Sequence, residues 1–152
     1  MKPTLNFLEA IKICFSKYAT FSGRARRSEF WWFYLLNAIF SMSMSILVKW
    51  KMAKVASIQA QVFSGVDYSS VMAQAESVDA IFTPLAIIIG VISLLLFIPT
   101  LAAWARRLHD VGKSGHMLWL ILLCGIGGLI PLFMCISDGQ PGDNKYGPNP
   151  KA

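Results

Sequence analysis

The amino-acid sequence predicts an all-α integral membrane protein with about three transmembrane helices, preceded by an amphipathic N-terminal helix. Hydrophobic residues make up 55% of the 152 residues and charged residues only 14%, and the mean hydropathy is +0.54. Soluble domains carry charge at about a quarter of their positions. The apolar residues are gathered in stretches long enough for a bilayer, with Lys and Arg between them.

The segment 1–18 predicts the amphipathic helix. On a helical projection Leu8, Cys14 and Phe15 fall on one side, and Glu9 and Lys12 fall on the other. Because Glu9 and Lys12 interrupt the apolar run, the segment does not resemble a cleavable signal peptide. We expect the helix to lie in the lipid headgroup region or over the cytoplasmic mouth of the bundle.

Three apolar stretches are the predicted membrane spans. They cover 30–48, 84–104 and 117–136. A polar, partly helical connection, 49–80, separates the first two and is expected to break at 64–67. The third stretch contains three glycines and a proline, which predict a bent, broken or partly re-entrant segment.

We predict one membrane domain over 1–152 that ends in a polar tail, 137–152. The tail is rich in turn-forming residues and is expected to fold back or to stay extended. Cys14, Cys124 and Cys135 lack the close spacing of a zinc site or a disulfide framework. No metal and no cofactor is predicted.

The distribution of positive charge predicts the orientation. Six cations precede the first span, Lys2, Lys12, Lys17, Arg24, Arg26 and Arg27, and three follow it, Lys49, Lys51 and Lys54. Because Lys and Arg accumulate on the cytoplasmic side, we predict a multi-pass protein of the bacterial inner membrane with a cytoplasmic N-terminus. Three complete spans place the tail outside, whereas a hairpin in the third stretch returns it to the cytoplasm.

Three polar segments carry a family resemblance. They are FSGRARRSEFW at 21–31, RRLHDVGKSG at 106–115 and QPGDNKYGPNP at 140–150. Their order resembles the YhaH/YhaI-like family of small bacterial inner-membrane proteins, which is catalogued as a domain of unknown function. The resemblance covers most of the chain. It implies a multi-helix membrane protein and supplies no established reaction, substrate or cofactor.

Arginines of the first two segments are candidate binding residues for lipid or a partner. They are Arg24, Arg26, Arg27, Arg106 and Arg107. Their heads can reach lipid phosphates, so topology and anchoring explain them. The sharper hypothesis is that they bind an anionic lipid headgroup or an acidic partner. A further alternative is a protein partner or a homo-oligomer. Nucleic acid is not expected, because the cations flank apolar runs and form no separate basic module.

The remaining polar residues of these segments form a candidate structural motif, whose members are His109, Asp110, Gly112, Gly115, Asp143, Tyr146, Gly147 and Pro148. Arg106 and Asp110 are four residues apart and are expected to pair along the helix. Tyr146 is expected to anchor the tail as a clasp. His109 and Asp110 are also a candidate proton-handling pair, although no nucleophile or second acid accompanies them.

These observations favour a non-enzymatic membrane scaffold or adaptor with a cytoplasmic arginine-rich face. One alternative is a small transporter or channel component, which would use the polar stripe Asn37, Ser41 and Ser45 and the broken region 125–131. The other alternative is a membrane enzyme that uses His109 and Asp110.

Overall fold

The computed structural model describes residues 5–122 and 128–151, and this part of the chain is helical, with one isolated β-bridge between Asn144 and Gly147 and no strand. The elements are α1 (Phe7–Ser16), α2 (Arg27–Phe63), α3 (Tyr68–Asp110), a 3₁₀ helix (Gly115–Leu122) and α4 (Leu129–Ile136). The predicted all-α class is confirmed.

Helix α1 begins with a capping box. The side chain of Asn6 accepts from the backbone N–H of Glu9, and the Glu9 carboxylate accepts from the N–H of Asn6. This exchange satisfies two N–H groups that have no partner inside the helix. The helix buries Ala10 and Cys14 of its apolar face. The structure thus contains a helix within the segment where the apolar face predicted one.

Helices α2 and α3 are longer than the predicted spans. They contain 37 and 43 residues, which is about 55 and 64 Å at 1.5 Å per residue. The polar connection predicted over 49–80 is helical on both sides of a short turn, because its Ala, Lys, Gln and Met residues favour helix. The predicted break at 64–67 is confirmed, and Gly65 there has φ +80°.

Two helices of the described residues, α2 and α3, are long and apolar enough to cross a membrane. Their most apolar 18-residue windows have mean hydropathies of 1.5 and 2.8, and only 6% of each window is buried inside the molecule. The core helix of a soluble protein is mostly buried. An apolar surface this exposed is compatible with helices that face lipid.

The predicted third span is not one continuous helix. The 3₁₀ helix and α4 have 8 residues each, which is about 16 and 12 Å, less than the roughly 30 Å of a bilayer core. Residues 123–127, which include Gly125 of the predicted broken region, lie outside the described residues. A count of three spans is therefore not confirmed.

The chain divides into two compact units. Unit 1 comprises Met1–Asn37 and Leu95–Ala152, and unit 2 comprises Ala38–Leu94. In unit 1 a core of Phe30, Trp104, Leu108 and Cys135 is covered by residues of the 3₁₀ helix and α4. Unit 2 is an antiparallel helical hairpin, in which the side-chain amides of Gln61 and Gln74 bond to each other. A single domain stays a prediction.

Candidate functional site

The C-terminal end of α3 is fixed by a glycine. The N–H of Gly112 donates to the carbonyl of His109, and the N–H of Lys113 donates to the carbonyl of Leu108. These two bonds form a Schellman motif, which requires a left-handed residue at Gly112, and φ there is +78°. The motif stops the helix directly after Asp110.

Asp110 is the centre of a buried ionic cluster, which we define as Arg24, Arg107 and Asp110. Its Oδ1 lies 2.9 Å from Nε of Arg24, and its Oδ2 accepts from Nη1 of Arg107. All three side chains are at most 1% exposed. Burying a carboxylate between two guanidinium groups offsets its desolvation, which is large for an unpaired charge.

Arg24 holds the polar tail. Its Nη1 donates to the carbonyl of Gly142 at 2.6 Å, and its Nη2 donates to the carbonyl of Gln140 at 2.6 Å. The backbone N–H of Gln140 donates to the carbonyl of Asp110 at 2.8 Å. A Cβ atom added at Gly139 would overlap the carboxylate of Asp110, so the tail reaches the cluster only because residue 139 has no side chain.

Arg107 holds the chain at the end of α4. Its Nε donates to the carbonyl of Cys135 at 3.1 Å, and its Nη2 donates to the carbonyl of Ser137. The planar guanidinium presents five donors in a fixed fork, which is suited to several acceptors at once. Arg107 therefore satisfies carbonyl groups that the end of α4 leaves without helical partners.

Arg106 and Glu29 form a second buried pair. Nη1 of Arg106 lies 2.9 Å from Oε1 of Glu29, and their side chains are 1% and 5% exposed. The two atoms attract as charges but are not aligned for a hydrogen bond. Cys14 of α1 lies beside this pair; burial, and secondarily the charge of Glu29, raises the pKa of its thiol to about 12. The thiol is therefore protonated at neutral pH and unreactive.

His109 anchors the last turn of the tail. Its ring stacks on the ring of Tyr146 with centroids 3.9 Å apart and an interplanar angle of 8°. Its Nδ1 lies 3.2 Å from the carbonyl of Gly23, an acceptor, so this nitrogen carries the proton. Asn144 donates to the carbonyl of His109 at 3.0 Å. Tyr146 is thus positioned as a clasp between the tail and α3.

Glycines and turn residues allow the 3₁₀ helix and the tail to pack closely around the end of α3. A Cβ atom at Gly115 would lie 3.3 Å from the side chains of both Ala105 and His109, so the 3₁₀ helix starts directly against α3. In the tail, the Asp143 carboxylate accepts from the N–H of Asn149 at 3.0 Å, and Gly147 has φ +137°. Pro148 follows at the surface.

Exposed charges surround the buried cluster. Arg27 lies 3.0 Å from Oδ1 of Asp138 and Lys151 lies 3.4 Å from the same oxygen. The hydrogen bonds from Arg27 and Lys151 lower the pKa of the Asp138 carboxyl below its usual range. This carboxylate is ionised at neutral pH, but its pairs are open to solvent.

The structure places the five candidate arginines in different environments. Arg24, Arg106 and Arg107 are buried with internal partners, Arg26 is half-buried, and Arg27 is exposed beside Asp138. The expected pairing of Arg106 with Asp110 is wrong, because Arg106 faces Glu29 and Asp110 pairs with Arg107 one position further along α3. Whether the arginines bind lipid or a partner stays a prediction.

Three residues that contact the predicted site were not among its predicted members. They are Glu29, Asp138 and Gly139. Glu29 is conspicuous in the sequence only as an acid at the start of a helix, where the dipole already explains it. Nothing local indicates that a residue 77 positions away would be its partner. Gly139 looks like an ordinary turn residue until the carboxylate of Asp110 is seen beside it.

The polar stripe of α2 is satisfied within the molecule. Asn37 donates to the carbonyl of Phe33, and its Oδ1 lies 3.0 Å from the hydroxyl of Thr100. Ser45 donates to the carbonyl of Ser41. Among the described residues no group of three His, Cys, Asp or Glu side chains is arranged to hold a metal ion.

Comparison with known proteins identifies a family that the chain matches. Residues 18–148 match the model of a family described as protein of unknown function (DUF805). The match includes the first two polar segments, 21–31 and 106–115, and residues 140–148 of the third.

Two curated relatives come from Escherichia coli (strain K12). Inner membrane protein YhaH is 31% identical over 137 residues, which cover 88% of this chain and 89% of the relative. Inner membrane protein YhaI is 32% identical over 136 residues, 88% of each chain. No solved structure matches the chain significantly. The chain therefore belongs to the DUF805 family, whose relatives here are inner membrane proteins.

Proposed function

We propose that this protein is a non-enzymatic scaffold of the bacterial inner membrane that crosses the bilayer twice and presents a basic cytoplasmic face to anionic lipid and to a protein partner. The buried ionic cluster carries the proposal. It joins the segment before α2, the end of α3 and the tail, and it fixes the surface that these segments share.

The contacts within unit 1 support two crossings. The segment from Gly115 to Cys135 starts against His109 and ends on Arg107, so both of its ends lie at the same end of α3. Such a segment enters and leaves the membrane on the same side. The N-terminal segment, the end of α3 and the tail then share that side, and a hairpin replaces the third span.

The charge distribution supports a cytoplasmic location for that shared side. With two crossings, 11 of the 14 Lys and Arg residues lie on it, and only Lys49, Lys51 and Lys54 lie on the other. This bias is stronger than with the tail outside, and short cytoplasmic segments are those that accumulate cations. A green fluorescent protein fusion after the tail should fluoresce, and alkaline phosphatase inserted at Gly65 should be active. Active phosphatase fused after the tail would contradict the topology.

The outer surface of α1 supports contact with lipid. Leu8 is 67% exposed and Phe15 44% exposed, while Lys12 and Lys17 beside them are exposed as well. Exposed apolar residues next to lysines are typical of helices that lie in the headgroup region of anionic membranes. Because three of the five candidate arginines are buried, we assign the lipid contact first to these lysines.

The surroundings of His109 and Asp110 favour a scaffold over an enzyme. Both carboxylate oxygens of Asp110 are held by arginines. The ring of His109 is stacked on Tyr146, and its Nδ1–H donates to the carbonyl of Gly23. A group that transfers protons must reach a substrate. The side chains of Asn37 and Ser45 already form hydrogen bonds within the molecule, so they do not favour a solute pathway.

Lipid selectivity tests the scaffold. In nanodiscs, spin-labelled phosphatidylglycerol should associate more strongly than phosphatidylcholine, and the double variant Lys12→Gln/Lys17→Gln should lower that preference by about fivefold for each lysine, since a juxtamembrane cation contributes about 1 kcal/mol. The control Lys49→Gln/Lys54→Gln removes the same charge from α2 and should lower the preference less, because Lys54 lies about 9 Å beyond Val48 along the helix. Equal effects of the two double variants would refute the assignment to α1.

A further inference from the structure

A pocket of about 360 Å³ lies between the buried ionic cluster and the polar tail. Arg24 and Asp110 form its floor, and Gln140, Asn149 and Lys151 of the tail line its sides. The volume is at the lower end of the range for small-molecule sites. The lipid contact proposed for α1 does not involve these residues.

The charges around the pocket are in positive excess. Two carboxylates are each contacted by two cations: Asp110 by Arg24 and Arg107, and Asp138 by Arg27 and Lys151. Among the residues that line the pocket, Arg24 and Lys151 against Asp110 leave a net charge of +1. A concentration of like charge in a partly dry site attracts an anion, and both carboxylates are already engaged.

The side chains of the pocket supply donors for an oxyanion. Asn149 accepts the backbone N–H of Lys151 through Oδ1, which leaves its amide nitrogen as a donor. Lys151 lies 3.4 Å from Asp138 and is partly exposed, a weak pair that a better acceptor can replace. Arg24 provides a buried positive charge in the floor; because its nitrogens already donate to Asp110 and to two carbonyls of the tail, it contributes charge and not free donors.

We propose that this pocket binds a phosphate group, with Lys151 and Asn149 closing over it from the tail and Arg24 beneath it. A phosphate monoester carries a charge of about −1.5 to −2 at pH 7, opposite in sign to the net charge of the pocket lining. Its oxygens accept from both amide and ammonium donors. Binding connects the end of the tail to the floor of the pocket and therefore strengthens the closure of the tail.

The test uses the full-length protein in detergent, with inorganic phosphate and glycerol 3-phosphate as probes against chloride at equal ionic strength. Both probes should raise the melting temperature saturably. Lys151→Gln should weaken the apparent affinity by about tenfold, the cost of one lost charge-assisted hydrogen bond. Lys145→Gln removes the same charge from the same tail outside the pocket and should bind as the wild type does.

Both lysines are on the tail surface, so neither variant depends on refolding of the core. A response that does not saturate, or equal weakening by Lys145→Gln and Lys151→Gln, would overturn the proposal in favour of general charge attraction.

Nanodiscs then distinguish the two sources of phosphate. If phosphatidylglycerol, but not phosphatidylcholine, prevents the binding of glycerol 3-phosphate, the pocket takes a lipid headgroup. If both lipids leave binding intact, it takes a soluble phosphate ester; either result supports a phosphate site. Loss of lipid selectivity at α1 leaves this measurement unaffected, so the two proposals fail separately.

Discussion

Two charged regions of the molecule have ion pairs of similar length and different burial. In unit 1, Arg24 and Asp110 are 2.9 Å apart with both side chains 1% exposed, whereas in unit 2 Lys51 and Asp79 are 2.7 Å apart with side chains 31% and 60% exposed. Distance therefore does not separate the two pairs. The difference lies in solvent: water replaces a lost partner at Lys51 and cannot do so at Arg24.

The largest effect is expected from Asp110→Asn. It leaves two buried guanidinium groups without a counter-charge, and breaking a buried pair in this way costs about 3–5 kcal/mol. The free energy of unfolding in mixed detergent micelles measures it. Asp138→Asn, which also removes one carboxylate contacted by two cations, is the control and should remain close to the wild type because Asp138 is exposed. Equal losses in the two variants would contradict a role for burial.

An intermediate effect is expected from Arg24→Lys. The charge opposite Asp110 is retained, but an ammonium group cannot reach the carbonyls of Gln140 and Gly142 as the guanidinium fork does. We expect a loss of about 2 kcal/mol, from two hydrogen bonds of about 1 kcal/mol each. Trypsin should cut at Lys145 faster than in the wild type.

Arg27→Lys is the matched control for that variant, because Arg27 forms its ion pair with the exposed Asp138. It should leave both stability and the rate of cleavage unchanged. Slow, wild-type cleavage in Arg24→Lys would contradict a role for the Arg24 guanidinium in holding the tail.

The sequence was sufficient for features with a local cause. The N-terminal helix follows from its apolar face and from Asn6 and Glu9, and the turn at 64–67 follows from Gly65. The sequence also indicated the three segments that meet in unit 1, because unusual polar residues stand beside apolar runs there. It did not indicate how these residues pair.

The pairing depends on contacts between distant parts of the chain. Arg24 and Asp110 are 86 residues apart, and a helical spacing of four made Arg106 look like the nearer partner of Asp110. The lengths of α2 and α3 were underestimated for a different reason: lysines after Val48 mark the edge of a membrane, and a helix does not have to end there. Hydropathy also does not show where a helix is interrupted, because the predicted third span contains two separate short helices, the 3₁₀ helix and α4.

The smallest effect is expected in unit 2. Asp79→Asn should cost no more than about 1 kcal/mol, the usual limit for an exposed pair, and the loss should shrink as salt is added. Lys51→Gln should cost slightly more, because Lys51 also lies 4.3 Å from the ring centroid of Phe82 and a cation–π contact contributes about 0.5–1 kcal/mol. Unfolding in low and high salt measures both. If Asp79→Asn destabilised the protein as much as Asp110→Asn does, exposure would not be what separates the two regions, and the hairpin would have to be as dry as the ionic cluster.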